Sequence, residues 1–449
     1  MPQPADDPED PILFVGDVHL GRRPGGLDAQ LAELGLRPSA LSPAQALAST
    51  VDHAIAVRAR AVVFAGDVVE SAKDRFEAFP ALEAAAARLL GAGIEVVAIA
   101  GNHDSIALPR LVARLPAVRL LGAGGKWERM VLAAEGPSRP PVTLCGWSFP
   151  SQHYTHDPLD AAGAAAAFVR PERGALLAVL HADLDASASP YAPLRRSRLR
   201  QSGADAAFVG HVHAPDPLAT EPFGYLGSLC GLDAGEPGVR GPWQVRVGGG
   251  VRAQQVALAP IHYDNCALDV TSLAGEDGEV DADSLHQALL HHARAWPVPS
   301  AAKLAVLRLT LVGRASVRAA VAALPAILTS SALEGAPRII TRVSIATLPH
   351  HDLLSLAAAT TPTARLARMA LALGLGDAAK LGDSGTLSDA AMFSDAAARL
   401  RTDALAFVAR SGVGSVKAEL PALDIDAVLD DAVLRALDAM LQARREVGR

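Results

Sequence analysis

The sequence predicts an α/β fold layered over residues 1–259, a small α+β domain over 260–349 and a helical C-terminal region over 350–449. Three observations carry this. Short apolar runs alternate with helical stretches through about residue 210, the run types change after Pro260, and an amphipathic stretch closes the chain. A β–α rhythm of that kind builds packed layers around a sheet.

Taken in order, Ile12–Val15, Ala61–Ala65, Val96–Ala100, Val142–Gly146, Leu176–Leu180 and Ala206–Val209 each read as a buried strand. Their apolar runs lack alternation, as in strands covered on both faces. Helices are expected at 44–58, 74–92 and 158–169. Phe223–Leu226, Trp243–Val247 and Val251–Leu258 read as strands of a β-rich edge, punctuated by glycine and proline. The α+β stretch reads as strand Cys266–Val270, helix Ala282–Ala295, strand Leu304–Val312, helix Ser316–Ala323 and strand Arg338–Thr347. From about His350 the chain reads as helical. Ile425, Val428, Leu429, Val433, Leu434, Leu437, Met440 and Leu441 fall on one helix face. Packing within the chain is the simpler use of that face, and docking on a partner coiled coil is the alternative.

Half of the residues are hydrophobic and 20% charged, a globular composition, and no run of apolar residues is long enough to span a membrane. The first ten residues are acidic and proline-rich, without the basic start and apolar core of a signal peptide. Cys145, Cys230 and Cys266 are odd in number, widely spaced and read as small core residues. The expected location is the cytoplasm. A net charge of −7 argues against a global grip on nucleic acid but permits a local basic groove.

The chemistry lies where the strands end. The first runs into Gly16-Asp17-Val18-His19, the second into Gly66-Asp67, the third into Gly101-Asn102-His103-Asp104, and two later ones into His181 and Gly210-His211-Val212-His213. Sites in open α/β sheets form at the carboxyl ends of strands, so these clusters should converge. Asp17 and His19, like His211 and His213, are two apart and point to one side of extended backbone. Carboxylate, amide and imidazole donors together suit manganese, iron or zinc. The donors Asp17, His19, Asp67, Asn102, His181, His211 and His213 exceed what one catalytic ion takes and suit two, with Asp67 the natural bridge.

The series GDVHLG, GDVVE, GNHD, a lone histidine and GHVH resembles the calcineurin-like metallophosphoesterase superfamily. Asp17-Val18-His19-Leu20-Gly21 narrows the resemblance to the SbcD/Mre-type DNA repair nucleases. The stretches His181–Asp185 with Tyr191-Ala192-Pro193, and Tyr225–Asp233 with Gly241-Pro242-Trp243, look most like the YhaO branch. The resemblance covers roughly the first 260 residues and implies a β-sandwich core flanked by helices, with a capping domain behind it. It implies one ion on Asp17, His19, Asp67 and His213, and another on Asp67, Asn102, His181 and His211. His103 would act on the leaving oxygen or as a transition-state donor, Asp104 would orient His103, and a metal-activated hydroxide would attack. Glu70 stands where the family's second motif has Asp or Asn, outside the ligand positions. The implied activity is manganese-dependent hydrolysis of phosphodiesters in DNA ends or single strands, exonucleolytic or endonucleolytic. An SMC-like ATPase of the SbcC type and a homodimer are the implied partners.

Two other readings stay open: a small-molecule phosphoesterase for cyclic nucleotides or nucleotides, and a non-catalytic DNA-end-binding subunit. Arg22 and Arg23 border the first motif, as a solvated loop or as contacts to the substrate backbone. Arg195, Arg196, Arg198 and Arg200 read as a solvated helix rather than a phosphate track, and His153 and His156 lie on a loop that can face the site.

Overall fold

The computed structural model describes residues 10–372 except 26, 72, 74, 133–139, 276 and 331–334, together with 399, 402 and 432–441. The chain first runs β1 (Ile12–Val15), α1 (Asp28–Glu33), α2 (Pro43–Ala56), β2 (Ala61–Ala65), α3 (Arg75–Gly91) and β3 (Glu95–Ile99). Then come α4 (Ala107–Val112), β4 (Val118–Leu120), β5 (Trp127–Leu132), β6 (Val142–Trp147), α5 (Ala164–Ala167) and β7 (Ala175–His181). It continues through β8 (Asp183–Leu184), β9 (Pro193–Leu194), α6 (Arg196–Arg200), β10 (Ala206–Gly210), β11 (Phe223–Tyr225), β12 (Trp243–Gly248) and β13 (Gly250–Gln255).

These strands form two sheets, a six-stranded one ordered β13-β12-β1-β2-β3-β4 and a five-stranded one ordered β11-β10-β7-β6-β5. The expected β-sandwich core flanked by helices is present. β1, β2, β3 and β4 are parallel, with Ile12 opposite Ala61 and Ala61 opposite Glu95, while β12 closes antiparallel on β1. Side chains alternate across each strand, so both faces must be apolar. Ile12, Phe14, Val63 and Ile99 face Leu144, Leu177, Val179 and Phe208 of the other sheet. Leu13, Val15, Val62 and Phe64 face outward onto Leu47 and Val51 of α2 and Leu82 and Leu89 of α3. Phe14 and Phe208 stack at 4.0 Å between ring centres.

The helix expected at 158–169 is instead a 3-10 turn, Pro158–Asp160, and the single turn α5. Gly163 between them takes a φ of +84°, which an α-helix does not accommodate. β4 and β5 are strands that the sequence reading does not include. The three cysteines are buried and unbridged.

Beyond residue 260 follow β14 (Ile261–Asp269), α7 (Ala282–Ala295), β15 (Leu304–Val312), α8 (Arg318–Ala323), β16 (Leu328–Ser330) and β17 (Arg338–Ile345). These strands form a sheet ordered β14-β15-β17-β16. Last come α9 (Leu353–Ala357) and α10 (Pro362–Ala372). The chain divides into two compact units, one of residues 1–268, 286–310 and 324–344, the other of 269–285, 311–323 and 345–449. Within the first, Tyr263, Leu304, Val306 and Ile339 share a buried cluster with Leu47 and Phe64. Within the second, Val433 and Leu437 of the helical stretch 432–441 pack on Leu353, Ala357, Ala367 and Leu371. That amphipathic face is therefore a packing element over its described part. Ile425, Val428 and Leu429 lie outside the described residues. Among the described residues, no helix is long and apolar enough to cross a membrane.

Candidate metal centre

Each polar cluster named above sits where its strand leaves the sheet, and the sandwich brings the clusters together. The chain must turn abruptly there. Asp17, His19, Asp67 and His211 have φ angles of 30°, 51°, 48° and 109°, conformations L-residues seldom adopt and which concentrate at functional sites. Two glycines allow the close approach. A Cβ on Gly66 would lie 2.6 Å from His181 Nδ1, and one on Gly101 would lie 2.2 Å from Asp67 Oδ1.

Asp17, His19, Asp67, Asn102 and His181 are buried, while His211 and His213 are half-buried and His103 is exposed. Asp67 lies centrally: its carboxylate is 3.3 Å from His181 Nε2 and 4.0 Å from His19 Nε2, and it accepts the His103 N–H at 3.0 Å. His181 Nε2 is 2.9 Å from Asn102 Oδ1, and its Nδ1 meets the Ala65 carbonyl at 3.0 Å. Asp17 accepts the His211 backbone N–H at 3.0 Å, tying the first strand end to the last. The ring of His211 lies 5.2 Å from that of His181.

Two groups of donors are close enough to share an ion, Asp17 with His19 and His213, and Asp17 with Asp67 and His181. A third joins His19 to Glu70 and His103. The first group has an informative detail. His19 Nδ1 meets Glu70 Oε2 at 2.6 Å and His213 Nδ1 meets Glu236 Oε1 at 2.7 Å, so both ring protons are committed to carboxylates. The two Nε2 atoms then face each other at 3.0 Å. With each Nδ1–H given to its carboxylate, the two rings present Nε2 lone pairs to one another, the arrangement in which both imidazoles can ligate one divalent metal. The donor set fits a metal centre.

The electrostatics point the same way. Burial pushes the Asp17 carboxyl above its ordinary range, and the charge of Asp67 adds to this. Burial works against Asp67 too, but His181 beside it outweighs that and holds it below the usual carboxylate range. Burial opposes charge on His181, yet Asp67 and Asp17 prevail and hold the imidazole up at about 9. Burial and the neighbouring His181 push His211 down to about 4. Burial disfavours ionised Glu236, but its hydrogen bond with His213 holds it low.

One expected partnership is not the one present. Asp104 does not orient the His103 ring. Its carboxylate is fully buried and accepts N–H groups from Gly101 at 2.8 Å, Val68 at 2.7 Å and Val69 at 3.2 Å. It therefore clamps the loops after β2 and β3 together. His103 Nδ1 instead meets the backbone carbonyl of Glu70 at 3.0 Å, which leaves Nε2 for other partners.

Glu70 carries more than the sequence alone assigns it, since it holds His19 by side chain and His103 by backbone. Glu236 is absent from the sequence-derived site altogether. It receives Ser228 Oγ at 2.8 Å besides facing His213, and it lies in a glycine- and proline-rich stretch without a periodic signal. On the far side, the exposed His153 ring stacks on Tyr191, whose ring lies 5.1 Å from His211. Arg196 pairs with Asp216 at 2.7 Å, Arg198 with Asp157 and Asp160, and Arg200 with Glu221, so these three are tied to carboxylates on a solvated helix.

Residues 10–215 match the family model for the calcineurin-like phosphoesterases. All seven candidate ligands lie inside that match, and Glu236 lies outside it. No curated protein matches the chain. Among solved structures, the protein TT1561 of Thermus thermophilus is similar at 10% identity over 49% of this chain and 89% of its own, with a TM-score of 0.29. A dimetal phosphatase from Danio rerio is similar at 12% identity over 74% of this chain and 87% of its own, with a TM-score of 0.25.

Proposed function

We propose that this phosphoesterase domain is a dinuclear, metal-dependent phosphodiesterase that acts on DNA ends or single strands. The observation that supports the reading is that Asp17, His19, Asp67, His181 and His213 form groups close enough to share an ion, with Asn102 and the ring of His211 beside His181 and the exposed imidazole of His103 next to His19. Two divalent ions, when bound, draw a nucleophile from water and neutralise charge on the phosphate. Asp17, His19, Asp67 and His213 would hold one ion, and Asp67, Asn102, His181 and His211 the other. Manganese is the proposed metal, with iron or zinc as alternatives.

His103 completes the proposal. Its ring lies edge-on to His19 at 5.2 Å, and Nδ1 is held by a carbonyl that accepts a proton but cannot supply one. Protonated at Nε2, His103 donates to the leaving oxygen of the phosphodiester. Asp104 acts at one remove, by fixing the loop on which Asn102 and His103 stand.

The narrower choice of DNA rests on the SbcD/YhaO-like segments of the sequence, as do an SMC-like ATPase partner and a homodimer. The net charge of −7 favours a small phosphoester instead. Turnover of single-stranded DNA, a cyclic nucleotide and bis(p-nitrophenyl) phosphate, with manganese and after chelation, separates the two. We expect chelator-sensitive cleavage of DNA and of the aryl diester, lost in His103→Ala for DNA. Cleavage of the cyclic nucleotide alone would overturn DNA as substrate, and activity indifferent to chelation would overturn the mechanism.

A further inference from the structure

His213 is held from a stretch of chain that lies beyond the family match. Its carbonyl accepts the Ser228 backbone N–H at 3.0 Å and a guanidinium N–H of Arg240 at 2.7 Å. One residue on, the Leu229 N–H goes to the Asp17 carbonyl at 3.3 Å. The same stretch therefore ties the main chains of two proposed ligands of the first ion. Gly227 permits the approach, since its φ is +73° and a Cβ there would lie 2.8 Å from the His213 carbonyl oxygen. The His213 ring is held from this stretch too, by Glu236.

Arg240 is the member of this group that composition would not lead one to expect. Arginine is seldom fully buried, yet Arg240 is only 4% exposed. Its guanidinium donates to two main-chain carbonyls, His213 at 2.7 Å and Pro237 at 3.0 Å. Arg88 and Arg200, by contrast, reach carboxylates at the surface, those of Asp52 and Glu221. Burial pushes the Arg240 guanidinium below its ordinary pKa, against the opposing effect of the Glu236 charge. Its own main chain is fixed, because its carbonyl accepts the N–H groups of Leu258 at 3.2 Å and Ala259 at 3.3 Å. A guanidinium presents its donors in a rigid planar fork. With one arm on His213 and the other on the residue after Glu236, the fork sets the spacing between the loop that carries the imidazole and the loop that carries its carboxylate.

We propose that Arg240 is a positioning residue for the first ion, holding His213 and Glu236 in register so that the imidazole keeps Nδ1–H on its carboxylate and turns Nε2 to the metal. The proposal rests on the dinuclear reading and deepens it, by giving one half of the centre a support that acts through His213. The hydrogen bonds of the Arg240 side chain run to His213 and Pro237, not to a ligand of the second ion. Loss of the fork lets the His213 loop move relative to Glu236. It loosens the first ion and leaves the second ion and the chemical step as they are.

The test is a manganese titration of the metal-free full chain by calorimetry, with bis(p-nitrophenyl) phosphate turnover at saturating manganese beside it. Arg240→Gln should weaken one of the two binding events by about 10–100-fold, as loss of support behind a ligand does, and leave the other event and the saturated kcat unchanged. Arg240→Lys keeps the charge but not the fork, and should fall between the glutamine variant and wild type. Combined with Glu236→Gln, Arg240→Gln should cost less affinity than the two single effects multiplied, because both act on one ring. Thermal melts of the metal-free proteins show which variants are folded, and the lysine variant carries the comparison if the glutamine variant is not. Wild-type strength of both events in either folded variant, or equal weakening of both, overturns the role. A wild type that binds two manganese ions but leaves the aryl diester intact would instead overturn the phosphodiesterase reading, and the affinities would still decide the role of Arg240.

Discussion

The two halves of the candidate metal centre are held by different chemistry. In one, His19 and His213 each turn Nδ1 to a carboxylate, Glu70 at 2.6 Å and Glu236 at 2.7 Å. In the other, His181 turns Nδ1 to the neutral carbonyl of Ala65 at 3.0 Å, and its near neighbour is the neutral amide of Asn102. His211 is fixed by its backbone N–H on Asp17, with its ring against Tyr191. A carboxylate behind an imidazole fixes its tautomer and raises its basicity, so the first half should keep its ion and the second should exchange it. Asp67 reaches His19 and His181 alike, as a bridging carboxylate would, and the predictions follow from the asymmetry of the two halves.

The largest effect is expected from Asp67→Asn. It removes the carboxylate that reaches His181, His19 and the His103 amide, so phosphodiester turnover should fall to the detection limit and both ion-binding events should weaken. A calorimetric manganese titration alongside an aryl-diester assay checks this, and retention of either event at wild-type strength would break the bridging role. Next, Glu236→Gln should weaken the tighter event by about 10–100-fold and leave the weaker one nearly unchanged. Equal weakening of both would remove the proposed asymmetry. Asn102→Ala should do the reverse, weakening only the looser event, by about tenfold on the same scale.

A smaller effect concerns protons. His181, raised from 6.5 to about 9, must lose its proton to bind a metal, whereas His211, lowered to about 4, is already neutral at pH 7. Filling the second half at pH 7 should therefore release a proton, measurable by titration calorimetry in buffers of different ionisation enthalpy. The sign for stability follows from linkage. In the metal-free protein, the contribution of His181 is fully present below about pH 6.5 and is lost as pH rises through about 9. Thermal melts of His181→Asn and wild type should converge toward alkaline pH, and a gap that widens there would contradict the assignment.

Much of this is legible in the sequence, for physical reasons. Strands covered on both faces write themselves as unbroken apolar runs, so Ile12–Val15 and Ala61–Ala65 can be read to their boundaries. Polar residues at their ends, spaced by two, mark a convergent site. β5 escapes because its sequence WERMVL interrupts the run with charge, and β4 because VRL is too short to show a period. Asp104 reads as the partner of its sequence neighbour, but successive side chains diverge, and its oxygens go to three amides of converging loops. Glu236 carries no local signal at all: it stands in a glycine-rich loop, and its surroundings exist only after the layers assemble.

The central claim, that turnover needs both halves filled, is tested most directly by adding manganese stepwise to metal-free protein while following bis(p-nitrophenyl) phosphate hydrolysis. Two ions should bind per chain, and hydrolysis should appear only as the second, weaker one is taken up. Full hydrolysis after a single equivalent, or without added metal, would contradict the account.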